Sequence, residues 1–171
     1  MRDAISIAAL LATALTLTAT AAFGFSPLTA TVKVSNGTLY DYVVIGEHAE
    51  ATDGFDNAYD TISPGNLNAT MGQPFISVTI PHPDWQEAAR ELRGDIRAPA
   101  KNQQWRLSIK SSLPKDTPLT VILQMEVSSL PHGVKLKVQD KNKEIDLMNG
   151  ITILAAGPGE TTTVLISAEQ P

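Results

Sequence analysis

A cluster of acidic residues between positions 46 and 74 contains the side chains most suited to binding an ion. Asp53, Asp56 and Asp60 are close enough in sequence to converge on one cation, and Gly54 would let the backbone turn between them. Calcium prefers several oxygen ligands and tolerates irregular geometry, although this spacing differs from that of an EF-hand loop. The segment is therefore a candidate calcium site with Asp53, Asp56 and Asp60 as ligands. The alternative is a solvated loop in which these aspartates cap turns through the neighbouring backbone.

Residues that could support catalysis form no recognisable motif. His48, His82 and His132 are too scattered for a zinc site, and the chain has no nucleophile elbow, phosphate loop or paired acid–base signature. The absence of cysteine excludes thiolate metal sites and cysteine nucleophiles. We therefore predict that the protein is not an enzyme. A hydrolase with a dispersed site is the alternative, and it requires a pocket that gathers a histidine and a carboxylate.

Two other features resemble binding motifs. The residues Arg93-Gly94-Asp95 spell an integrin-binding tripeptide, which we interpret as a coincidence in which Asp95 pairs with its neighbours. Trp85 and Trp105 could stack on sugar rings, because aromatic faces pack against the apolar faces of sugars. Trp105 is in phase with the apolar residues that follow it, which indicates a core position and leaves Trp85 as the candidate for sugar binding.

Composition narrows the range of partners. The 171 residues carry a formal net charge of −5, and the sequence pI is about 5.1. Nucleic acids and anionic membrane surfaces both demand clustered lysine and arginine, so neither is an expected partner. Because a chain without cysteine cannot form disulfide bonds, its core and any bound ions must provide its stability.

The N-terminus has the pattern of a secretory signal peptide. Arg2 precedes an apolar centre over Ile5–Leu17, and small residues follow up to Gly24. We predict cleavage after Gly24, which divides the chain into a signal peptide over 1–24 and a mature domain over 25–171. An uncleaved membrane anchor is the alternative, but the stretch contains several threonines and lacks a basic flank. The predicted location is extracellular or periplasmic, without membrane association after cleavage.

A two-residue period of apolar side chains dominates the chain after position 24. Such alternation is typical of strands that bury one face and expose the other. It predicts strands over Thr29–Ser35, Leu39–Gly46, Phe75–Ile80, Gln104–Ser111, Leu119–Val127, Val134–Val138, Glu144–Met148, Ile151–Ala155 and Thr161–Ala168.

Turn signals complete the predicted architecture. Asn36-Gly37 and Asn149-Gly150 predict hairpins, and Asp84–Leu92 predicts one short helix capped by Asp84. About eight or nine short strands separated by proline, glycine and asparagine predict an all-β fold. We expect one domain built as a two-sheet antiparallel β-sandwich, with a closed barrel as the alternative.

The chain also resembles a known family of secreted bacterial modules. The similarity lies in Leu119-Thr120-Val121 followed by Ser128–Leu136, in Ile145-Asp146-Leu147-Met148, in Ala51–Asp56 and in Asp95-Ile96-Arg97-Ala98-Pro99 before Trp105. These modules are immunoglobulin-like or fibronectin-III-like β-sandwiches that often precede C-terminal sorting segments of surface proteins. The resemblance implies this architecture and an extracellular setting, and it implies no catalytic residue.

These observations favour a non-catalytic extracellular structural or interaction protein. As a surface, matrix or filament component it would bind other extracellular proteins or copies of itself, and strand addition at a sheet edge is one concrete mechanism. The N-terminal strand over 28–34 is the candidate donor. The alternative is a carbohydrate-binding module that contacts surface polysaccharide through Trp85 and acts with separate enzymes.

Overall fold

The structure is a computed structural model that describes residues 25–140 and 143–170, and it is all-β. The predicted signal peptide therefore lies outside the described residues. The strands are β1 (Leu28–Ser35), β2 (Tyr40–Glu47), β3 (Thr61–Ile62), β4 (Ile76–Pro81), β5 (Glu91–Arg97), β6 (Gln104–Ser111), β7 (Pro118–Leu123), β8 (Lys135–Asp140), β9 (Lys143–Asp146), β10 (Ile151–Leu154) and β11 (Thr161–Glu169).

Within the part of the chain that the structure describes, helical structure is confined to short turns. The α-helix α1 covers Leu67–Thr70, and single 3₁₀ turns cover Glu87–Ala89, Met125–Val127 and Leu147–Asn149. No helix in the described ranges is long and apolar enough to cross a membrane.

Hydrogen bonds join the eleven strands into one sheet. Its order is β10-β7-β1-β2-β5-β4-β6-β11-β8-β9, and β3 pairs with β5 off this path. Strand β4 joins the two halves of this order, β10-β7-β1-β2-β5 and β6-β11-β8-β9, because it pairs with β5 through Ile80 and with β6 through Val78. Among the described strands, all pairs are antiparallel except β2 with β5, which run parallel, so the expectation of a purely antiparallel arrangement is wrong.

The two-residue period correctly identifies the core. On β1, Ala30, Val32 and Val34 are fully buried, and Trp105 and Leu107 on β6 are buried in the same way. Side chains from both halves of the sheet belong to one hydrophobic cluster. Their burial supplies the main favourable free energy of folding in a chain that has no disulfide bonds.

The predicted count of eight or nine strands is too low, because β3 and β5 were not predicted. The expected helix over Asp84–Leu92 is also wrong, since only Glu87–Ala89 forms a 3₁₀ turn and Glu91 begins β5. Leu92 is fully buried and pairs with both Ile62 and Ile80. Sheet pairing therefore overrides the helix propensity of the local sequence.

Two predicted strands are shorter than expected, and one predicted turn is confirmed. The strand predicted over Leu119–Val127 ends at Leu123 and is followed by a 3₁₀ turn, and the one predicted over Glu144–Met148 ends at Asp146. The Asn36-Gly37 hairpin is confirmed: the Asn36 side chain accepts hydrogen bonds from the amides of Thr38 and Leu39 between paired strands β1 and β2.

The hairpin predicted at Asn149-Gly150 is wrong. Gly150 has φ 65° and follows a 3₁₀ turn, but β9 and β10 are not paired and stand at opposite ends of the strand order. The connection is short, so it requires the two ends of the hydrogen-bonded order to approach each other in space.

Gly46 marks a close approach between β2 and β1. A Cβ atom at this position would overlap the Leu28 carbonyl oxygen and would lie 2.9 Å from Ile96 Cδ1. We expect Gly46→Ala to lower the free energy of unfolding by about 1–3 kcal/mol, because overpacking forces backbone shifts. Gly54→Ala is the control, since no atom lies within 4 Å of the added Cβ. Equal denaturation midpoints for the two variants would contradict this packing.

Candidate functional site

The predicted calcium ligands mainly cap the backbone of their own loop. Asp60 is largely buried, and its carboxylate accepts hydrogen bonds from the amides of Asp56 at 2.8 Å and Ile96 at 3.1 Å. Asp56 in turn accepts a hydrogen bond from the Ala58 amide at 2.9 Å, and Asp53 is exposed. Burial raises the pKa of Asp60, while the two backbone hydrogen bonds oppose that rise.

This arrangement agrees with the alternative of a loop capped by its own aspartates. Within ranges 25–140 and 143–170, no group of three or more histidine and carboxylate side chains is placed to hold a metal ion. Calcium binding by Asp53, Asp56 and Asp60 stays a prediction from the sequence.

A buried ionic network connects the end of β4 to β5 and β6. Asp95 is 1% exposed and accepts hydrogen bonds from His82 Nε2 at 3.0 Å and from Arg97 Nη2 at 2.6 Å. Arg97 Nε donates to the other carboxylate oxygen, and Arg97 Nη1 donates to the Gln104 carbonyl at 2.8 Å. Burial alone would raise the pKa of Asp95, but hydrogen bonds and positive charge from His82 and Arg97 lower it overall.

The same network explains the Arg93-Gly94-Asp95 tripeptide. It lies inside β5 and not in a turn, and Arg93 forms an ion pair with Asp41 at 2.8 Å. Because Asp95 is buried and paired, the tripeptide is not displayed as a recognition loop. The interpretation as a coincidence agrees with this geometry.

One histidine does meet a carboxylate beside a cavity, as a dispersed hydrolase would require. His82 lines a cavity of about 340 Å³ together with Trp85, Arg97 and Arg106. Asp95 already neutralises Arg97, and no hydroxyl group of the described residues hydrogen-bonds to the His82 ring. The contact between base and nucleophile that activates a serine is therefore not formed here.

Trp85 is half-buried and does not lie free on a flat face. Its ring stacks on His82 at a centroid distance of 3.8 Å and lies 6.2 Å from Phe55. It borders the His82 cavity and a second cavity of about 460 Å³. One aromatic face is thus already covered. Trp105 is fully buried, as its strand phase predicted.

The two ends of the strand order differ in charge. At one end, β9 carries Lys143, Glu144 and Asp146, and Glu144 pairs with Lys137 at 3.2 Å. At the other end, β10 reads Ile-Thr-Ile-Leu, and no charged residue occurs from position 147 to position 159. Charged side chains on an edge oppose pairing with another chain, so β9 is protected in this way and β10 is not.

The free edge of β10 exposes backbone hydrogen-bonding groups. Ala155 N donates to the Thr117 carbonyl at 2.9 Å, which fixes the register with β7. Hydrogen-bonded residues alternate along an antiparallel pair. The amides and carbonyls of Ile151 and Ile153 therefore point toward β7, and those of Thr152 point away from it. No other described strand pairs with β10 on that side.

Side chains beside this edge are also exposed. Leu154 is 53% exposed, and Met148, just before the strand, is 54% exposed. The neighbouring Leu154 carbonyl accepts a hydrogen bond from Thr162 Oγ1 at 3.2 Å. The open backbone groups are therefore centred on Thr152.

Sequence reasoning did not identify this edge. The strand that it proposed as donor, β1, is paired along its whole length with β2 and from Val32 to Ser35 with β7, so donation of β1 would require it to leave the sheet. The uncharged run from 147 to 159 was the available signal. The wrong hairpin prediction at Asn149-Gly150 paired β10 with the preceding strand, whereas β10 lies at one end of the strand order.

Comparison of the chain with models of known protein families, with curated proteins and with solved structures finds no match in any of the three.

The Asp95 network should make a measurable contribution to stability. We expect Asp95→Asn to lower the free energy of unfolding by about 3 kcal/mol, because it leaves Arg97 without its buried counter-ion. Since folding lowers the pKa of Asp95 below its ordinary 3.8, its stabilisation is complete above that pH and is lost as the pH falls through the lowered value.

Urea denaturation of the wild-type and Asp95→Asn proteins at pH values on both sides of 3.8 measures this effect. The difference in the free energy of unfolding between the wild-type and Asp95→Asn proteins should shrink only below that pH. Glu144→Gln is the control, because its pair with Lys137 is exposed and should contribute little. An Asp95→Asn protein as stable as the Glu144→Gln protein at neutral pH would refute the role assigned to the network.

Proposed function

We propose that the protein is a non-catalytic extracellular structural or interaction protein that binds partners by strand addition at the β10 edge. The observation that carries this proposal is the uncharged, unpaired edge centred on Thr152. An extended segment that pairs there would gain main-chain hydrogen bonds that β10 does not make within its own sheet.

The finer architecture in this proposal is a two-sheet sandwich of the immunoglobulin or fibronectin-III type. Two observations support it. Strands from both halves of the sheet contribute to one hydrophobic cluster, and the short connection from β9 to β10 brings the two ends of the strand order near each other. Facing layers over a shared core would satisfy both observations.

The proposed setting is the cell surface or the medium outside the cytoplasm. The signal-peptide pattern over 1–24 and the resemblance to secreted modules support this location. Proposed partners are other extracellular proteins or further copies of the chain, in a surface layer, matrix or filament. The net charge of −5 disfavours nucleic acid as a partner.

Calcium binding at Asp53, Asp56 and Asp60 and polysaccharide binding through Trp85 are further proposals from the sequence. Strand addition at β10 does not depend on either of them.

The availability of the edge can be tested with a synthetic peptide. We expect a labelled peptide of alternating threonine and valine to bind the mature protein, as measured by fluorescence anisotropy. A twin peptide with N-methyl groups on every residue cannot donate to the edge from either of its sides. It should bind at least about tenfold more weakly, since each lost hydrogen bond costs about 0.5–1.5 kcal/mol.

Two variants locate the binding. Thr152→Pro removes an amide that faces away from β7, whereas Thr163→Pro changes an exposed residue of β11 in the other half of the sheet. The first should weaken binding and the second should not, and a thermal melt of each confirms that it is folded. Equal affinity for both peptides, or equal binding by both folded variants, would disprove strand addition at β10.

A further inference from the structure

We infer that the partner at this edge is a second copy of the chain, whose β10 pairs antiparallel with the first across a two-fold axis at Thr152. The inference rests on the proposed function, because it names the occupant of the edge proposed above. In such a pairing each residue on the axis faces its own equivalent, so the strand must be complementary to itself.

The backbone favours an axis at Thr152. Only residues whose amide and carbonyl point away from β7 can bond to a second copy, and Thr152 is central among them. Placing the axis there lets the two Thr152 residues exchange both hydrogen bonds. An axis at Ile153 would instead place on the axis a residue whose amide and carbonyl point toward β7, so the two axis residues could not exchange hydrogen bonds.

The side chains fit the same register. With Thr152 opposite its equivalent, Leu154 of one copy lies opposite Gly150 of the other. A Cβ atom at Gly150 would be 3.4 Å from Ile122 Cδ1, so the glycine leaves the half-buried Ile122 open on that side. Leu154, 53% exposed in the single chain, can fill this position. The apolar surfaces of Leu154 and Ile122 would then be buried from water on both copies.

The absence of charge makes the strand compatible with a second copy of itself. Cross-strand neighbours are about 4.5–5.5 Å apart, so a charged residue at or near the axis would meet its own like charge. No residue from 147 to 159 is charged, so this strand can face itself without repulsion. The other terminal strand, β9, carries Lys143, Glu144 and Asp146 and lacks this property.

A charge-swap experiment on the mature protein tests the pairing and its register. Analytical ultracentrifugation should show a concentration-dependent dimer for the wild type. Thr152→Lys and Thr152→Glu should each weaken dimerisation at least about tenfold, since like charges then meet at the axis. An equimolar mixture of the two variants should recover the dimer as a heterodimer, because Lys and Glu face each other only if the axis lies at Thr152.

Thr163→Lys is the matched control. It adds the same charge to an exposed threonine on β11 and should leave the dimer intact. A wild type that is monomeric at all concentrations, a dimer unaffected by Thr152→Lys, or a mixture that stays monomeric would each overturn the inference. If the wild type is monomeric but still binds the threonine–valine peptide, the two-fold pairing fails while strand addition at β10 survives.

Discussion

The structure depends on continuous backbone hydrogen bonding through eleven strands in a chain without disulfide bonds. Strand β4 is the critical link, because it pairs with β5 at one end and with β6 at the other. A sheet that is continuous from strand to strand still has terminal strands, and the outer edges of these strands have no neighbouring strand to pair with. The charge on these terminal strands therefore determines whether another strand can pair with them.

Buried polar side chains secure the segments that the strands alone do not hold. Asp95 joins His82 and Arg97 where β4, β5 and β6 meet. Glu47 at the end of β2 is fully buried and accepts hydrogen bonds from the Ala100 amide at 3.0 Å and from Gln170 Nε2 at 2.7 Å. Burial raises the pKa of Glu47, and these hydrogen bonds oppose the rise. The Asp95 network ties the end of β4 to β5 and β6, and the Glu47 network ties Ala100 and Gln170 to β2. Neither network includes a residue of β10, the uncharged terminal strand.

The sequence predicted those elements whose pattern is local. Alternation along Gln104–Ser111 identified both the strand and its buried face, and Asn36-Gly37 identified a true hairpin because the asparagine side chain bonds inside the turn itself. Strand β5 was missed because its charged residues Arg93 and Asp95 are accommodated in the sheet by partners distant in sequence, Asp41 and His82. The position of β10 at the end of the sheet depends on strand order, which no local signal encodes.

Amide hydrogen exchange at Thr152, followed by nuclear magnetic resonance, tests the central claim most directly. In dilute solution the Thr152 amide should exchange rapidly while the Ile153 amide, which faces β7, exchanges slowly. Raising the protein concentration should slow exchange at Thr152. A Thr152 amide that is as protected as Ile153 in dilute solution, or one that remains fast at high concentration, would contradict the account.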